Sequence, residues 1–166
     1  MCNLSLINQP CIVLSDNLKS WFSQKIKQHT KGQYSHAMWW SPRHHAFISQ
    51  GWRLEAVPPE KYCDEYHRLK FYYNPDLCDD RIENILDNQL KKRQRYDWLG
   101  IIGQWLGMKW INFPCRNYCS EAVWEPFVIL YSAPQVHPSP SDLDKWLPIL
   151  GWFVVYVHDP NEKGAY

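Results

Sequence analysis

The sequence lacks an excess of either charge: 18 Lys and Arg stand against 17 Asp and Glu, a formal net charge of +1. Nucleic-acid binding is driven by phosphate neutralisation and needs a basic surplus, so that class of partner is excluded. No apolar run approaches the roughly 20 residues that cross a bilayer, and no membrane span is expected. The opening residues, MCNLSLINQP, have no basic region followed by an apolar stretch, which points to a cytoplasmic chain, or to a virion or host-cell protein if a phage encodes it. The 166 residues contain no internal repeat and no long linker. They read as one domain, 1–166, large enough to bury a real core. The six cysteines follow no regular spacing, and without a leader they read as reduced thiols rather than as a disulfide framework.

Aromatic rings are plentiful: 16% of residues, with ten Trp and ten Tyr. Such rings fill a core or line a cleft. The 45% apolar and 21% charged content is that of a globular protein. Residues 11–14 form a short apolar run. Asp16 or Asn17 then offers a cap to a helix with Leu18, Trp21, Phe22, Ile26 and His29 at helical spacing. Residues 34–40 and 45–50 read as two strands joined by a turn at Ser41-Pro42-Arg43. Gly51 marks a bend, and Pro58-Pro59 closes that segment.

Residues 67–73 alternate as a strand. Asp79 or Asp80 opens a helix with Ile82, Ile85, Leu86 and Leu90 on one face. The basic stretch 91–95 is a solvated helix end suited to the C-terminal dipole. Asp97 caps a further helical stretch carrying Trp98, Ile101, Ile102, Trp105 and Leu106. Its Gly100, Gly103 and Gly107 lack the Lys-Ser/Thr ending of a phosphate loop. Residues 108–117 read as a loop. Pro126 limits or kinks the helix after Cys119. Ser141 and Asp144 resemble a capping box, and 152–157 gives the strongest strand signal in the chain.

Two short motifs carry chemistry. Tyr118-Cys119-Ser120-Glu121 places a thiol at the start of a helix, where the dipole and unpaired N–H groups favour a thiolate and can cradle an oxyanion. Tyr34-Ser35-His36 places an imidazole at the start of a strand, which fixes its direction as a general base requires. Either residue alone is more often structural, but together they form a Cys-His pair. A third group should orient the imidazole from the next strand: Gln50, His45 or Ser49. Alternation groups Ser49 with His45, so Gln50 faces the other way unless a bulge at Gly51 re-aims it.

Two other readings compete. His44, His45, Cys115 and Cys119 could supply four zinc ligands, but adjacent strand histidines point apart and the cysteines lack a matching second pair. No metal or cofactor is expected. The second is a non-catalytic phage or bacterial module that binds a partner through Trp39, Trp40, Trp110 and Trp124.

The chain resembles the permuted papain-like amidases, a circularly permuted branch of the NlpC-type cysteine hydrolases. Tyr34-Ser35-His36 matches their early histidine motif and Cys119-Ser120-Glu121 their late nucleophile motif. Tyr96-Asp97-Trp98-Leu99-Gly100 matches a segment that precedes the cysteine, and Gly51-Trp52-Arg53 a turn after the second strand. The likeness spans residues 10 to 130. It implies an α+β fold, a small antiparallel sheet packed against helices, with Cys119 as nucleophile and His36 as base. The substrate would be a peptide or acyl compound, such as peptidoglycan or an isopeptide. Acyltransferases with the same histidine-first order keep acyl transfer open, and their second histidine keeps His45 in consideration. Oligomeric state is not legible.

Overall fold

The computed structural model describes residues 2, 4–51, 53–77, 80–92, 95–96, 116–117 and 119–161. Its elements in chain order are β1 (Cys11–Asn17), α1 (Trp21–Thr30), β2 (His36–Ser41), β3 (Ala46–Gln50), β4 (Leu54–Val57), β5 (His67–Tyr73), α2 (Asp80–Lys92), β6 (Arg95–Tyr96), β7 (Arg116–Asn117), α3 (Cys119–Tyr131), α4 (Pro140–Ile149) and β8 (Phe153–His158). The fold is α+β: an open antiparallel sheet in the order β4-β3-β2-β1-β5-β8, with helices packed on it. Among the described residues no helix is long and apolar enough to cross a membrane.

β1 lies mid-sheet and is buried from Cys11 to Asp16. Alternation along β1 to β3 divides the core in two. Ile12, Leu14, Ala37, Trp39 and Ile48 meet Ile82 and Leu86 of α2, Val123 and Phe127 of α3, and Leu143 and Leu147 of α4. Val13, Met38, Trp40, Phe47, Leu69 and Phe71 pack on the other side with Leu4 of the N-terminal turn and Tyr62. Trp39 Nε1 donates to Val123 O at 3.2 Å, pinning α3 to the middle of β2.

Several boundaries differ from the sequence reading. The strand at 11–14 runs on to Asn17, because Asp16 is buried and held by Lys27 at 2.6 Å. The cap of α1 is therefore Ser20, not Asp16 or Asn17, and Lys31 ends the helix in the left-handed region. Ser139 with Asp142, not Ser141 with Asp144, forms the capping box of α4, with Pro140 just inside the helix where its missing N–H costs nothing. Pro126 does not end α3, which continues to Tyr131. Arg116–Asn117, read as loop, pairs in parallel with Arg95–Tyr96. The helix read from Asp97 to Gly107 lies outside the described residues.

The reading of all cysteines as reduced thiols fails at Cys2 and Cys63, which form a disulfide with Cα atoms 5.3 Å apart. The pairing joins the N-terminal segment to the turn after β4 and has no signature in the spacing. Cys11 and Cys119 are thiols. The strand signal at 152–157 corresponds to β8, an edge strand of the sheet. Its register against β5 shifts between Phe71 and Tyr72, so Val155 falls between partners.

Candidate active site

His36 is the first residue of β2, with Ser35 N–H held by Ser15 O of β1 at 3.0 Å. Its alternation partners are Met38 and Trp40, so its ring lies on the sheet face opposite α3. On that face β3 presents Ser49, which pairs with Met38 in the ladder. His36 Nε2 and Ser49 Oγ are hydrogen-bonded at 2.8 Å, and Ser49 Oγ and Tyr62 OH at 2.8 Å. The Tyr62 ring stacks on the imidazole, 6.1 Å between centroids and 14° between planes. Of the three candidates for the orienting group, Ser49 is thus hydrogen-bonded to His36.

His45 takes no part in this arrangement. It closes the β2–β3 turn in the left-handed region (φ 46°) and packs edge-on against Trp40. That is the opposite end of the hairpin from His36, on the order of 16 Å away by strand rise. Gln50 is buried and lines the same cleft as His36, but by alternation it turns to the α3 side of the sheet. Of the zinc reading, His44 engages Asp87 at 2.6 Å, and Cys115 lies outside the described residues.

The cleft beside His36 measures about 220 Å³, with Asn17, Ser23, Ser35, Gln50, Tyr62 and His67 among its walls. His67 is in a defined tautomer. Asn17 Oδ1 accepts from Lys19 N and Ser20 N, so Asn17 Nδ2 faces His67 Nε2 at 3.1 Å and donates to it. The proton of His67 is then on Nδ1, donated to Asp64 Oδ1 at 2.8 Å. Burial opposes ionisation of Asp64, but hydrogen bonds from the Tyr66 and His67 N–H groups and the His67 ring hold its carboxyl below the usual range.

Burial lowers the pKa of His36 to about 4, with His67 and Lys61 adding to the effect. The imidazole is neutral at neutral pH, the state a general base needs. Burial pushes the Tyr62 hydroxyl up, the Ser49 hydrogen bond pulls it down, and charge on Cys119 raises it again. Tyr62 therefore stands within electrostatic reach of Cys119 while stacked on His36.

Cys119 opens α3 and is buried. Its helix start is tied down on both following residues: Ser120 Oγ donates to Pro138 O, and Glu121 pairs with His137. Tyr62 escaped the sequence reading, because nothing local marks a tyrosine that meets a histidine 26 positions earlier in the chain. Comparison with family models, curated proteins and solved structures finds no match to this chain.

Proposed function

We propose that the protein is a cysteine hydrolase of a permuted papain-like type, cleaving an amide or peptide bond with Cys119 as nucleophile and His36 as base. The observation that carries this reading is the His36–Ser49–Tyr62 cluster, whose tyrosine stands close enough to Cys119, at the start of α3, for a thiolate there to raise its pKa. In this reading His36 Nε2–H donates to Ser49 Oγ, which leaves the lone pair on Nδ1. Cys119 must reach that nitrogen around the open end of β2, since the ring and α3 lie on opposite faces of the sheet; there it gives up its proton as the sulfur attacks the carbonyl carbon. Backbone N–H groups at the start of α3 receive the oxyanion, each such donor contributing roughly 2.7–4 kcal/mol. The C–N bond then breaks, and the amine leaves with the proton from His36. Water, deprotonated by His36, attacks the thioester. The C–S bond breaks, the acid departs and the thiol is restored. Because the resting imidazole is neutral, the thiol is activated as substrate arrives rather than stored as an ion pair.

The Cys2–Cys63 disulfide supports an oxidising place of action, a virion or the outside of a cell, over the cytoplasm. Peptidoglycan stem peptides then become the first substrates to try. Cys119→Ala and His36→Ala should each lower turnover by at least about a thousandfold, and Ser49→Ala by about ten- to a hundredfold with KM little changed. Independently of substrate, iodoacetamide should label Cys119 at least tenfold faster than Cys11 in the folded protein, and His36→Ala should slow that labelling. Full turnover in Cys119→Ala, or equal labelling of the two thiols, would refute the proposal.

A further inference from the structure

A neutral imidazole has one N–H and one lone pair, and the hydroxyls beside His36 decide which nitrogen has which. Among the described residues, Ser49 Oγ has two hydrogen-bond neighbours, His36 Nε2 and Tyr62 OH, each at 2.8 Å. Ser49 is 1% exposed, so its single proton goes to one of these neighbours rather than to solvent. If Tyr62 takes it, Ser49 accepts from His36 Nε2–H and the lone pair is on Nδ1. If His36 takes it, the ring proton is on Nδ1 and the base is blocked.

The phenol is held at this junction. Its ring stacks on His36 at 14° between planes, while Phe47 and His67 meet it edge-on, 5.5 and 5.3 Å between centroids. The turn that carries it is closed by Tyr62 N–H donating to Pro59 O at 3.0 Å and Cys63 N–H to the same oxygen at 2.8 Å. His67 does not compete for the hydroxyls, because Asn17 and Asp64 engage its two ring nitrogens. Tyr62 is only partly buried and lines the cleft, so it can accept from Ser49 and send its own proton outward.

We propose that Tyr62 is a positioning residue: by accepting the Ser49 hydroxyl proton it keeps Ser49 an acceptor toward His36 Nε2–H and leaves Nδ1 free as the base. The role in the reaction rests on the cysteine-hydrolase reading; the proton arrangement does not. Without the phenol oxygen, the imidazole is the remaining described partner of the Ser49 hydroxyl, and a buried donor left unpaired is costly. The hydroxyl then turns to Nε2 and moves the ring proton to Nδ1. Ser49 now holds the wrong tautomer, so its removal restores the right one. Loss of a merely structural ring contact would not give that sign.

Nitrogen-15 NMR of the His36 ring in the full chain at neutral pH reads the tautomer, with the signals assigned by their loss in His36→Asn and far-UV spectra to confirm folding. The wild type should show the proton on Nε2. Tyr62→Phe, which keeps the ring and its packing, should move it to Nδ1. Adding Ser49→Ala to Tyr62→Phe should return it to Nε2, the position an unconstrained neutral imidazole favours. Iodoacetamide labelling of Cys119 should slow in Tyr62→Phe as it does in His36→Ala, and recover in the double variant to the rate of Ser49→Ala alone. On a cleaved substrate, Tyr62→Phe should lower kcat at least about a hundredfold with KM little changed. A wild-type proton on Nδ1 overturns the proposal, as does an unchanged tautomer in Tyr62→Phe or a double variant that labels no faster than Tyr62→Phe. The ring signals do not depend on Cys119. Full turnover in Cys119→Ala would therefore remove the hydrolase reading, and the positioning role with it, while the tautomer stayed as described.

Discussion

His36 makes stability depend on acid as well as carrying the proposed chemistry. Its folded pKa of about 4 lies below the unfolded value of 6.5. Between these values the unfolded chain binds more protons than the native one, so stability falls as pH falls. The contribution is fully present above pH 6.5, declines through the window from 6.5 to 4, and amounts to on the order of 3 kcal/mol. Urea midpoints at pH 7, 5.5 and 4.5 should show this slope, and His36→Asn should flatten it. The imidazole was legible from Tyr34-Ser35-His36 at the start of an apolar strand. Its setting was not, because Ser49 arrives through strand register and Tyr62 through a turn that no periodicity marks.

At the scale of elements, the chain just past α1 comes close to the start of α4 at Gly32. A Cβ placed on Gly32 would come 1.6 Å from Ser141 Oγ and 2.4 Å from its Cβ, while that hydroxyl donates to Thr30 at 3.0 Å. Gly32→Ala should destabilise by about 1–3 kcal/mol, measured by urea denaturation. The double variant with Ser141→Gly should regain most of the loss, since the two sites share one contact. Periodicity located α2 and β5 well, because Ile82, Leu86, Leu69 and Phe71 are buried where their spacing placed them. It misplaced the start of α1. A buried aspartate looks like a cap in one dimension, and only the ion pair to Lys27, from the next element, shows why β1 continues through it.

Across the whole molecule, the disulfide is the largest single constraint on the unfolded chain. Its cysteines are 61 positions apart, and a loop of that length corresponds to about 4 kcal/mol in the chain-entropy model. Replacing Cys2 and Cys63 with serine should cost about 2–4 kcal/mol, read as a lower thermal midpoint, and dithiothreitol should reproduce the loss in the native protein. The family resemblance implies the α+β class and an antiparallel sheet, and at that coarse level the sheet agrees. The bond between these two cysteines could not be anticipated, since spacing does not disclose connectivity.

Cys63 is also the immediate neighbour of Tyr62. The sulfur bridge therefore leashes that phenol by a single peptide unit to the far end of the polypeptide. A backbone movement at Tyr62 that carried the ring off the imidazole would drag the opening turn of the chain along with it.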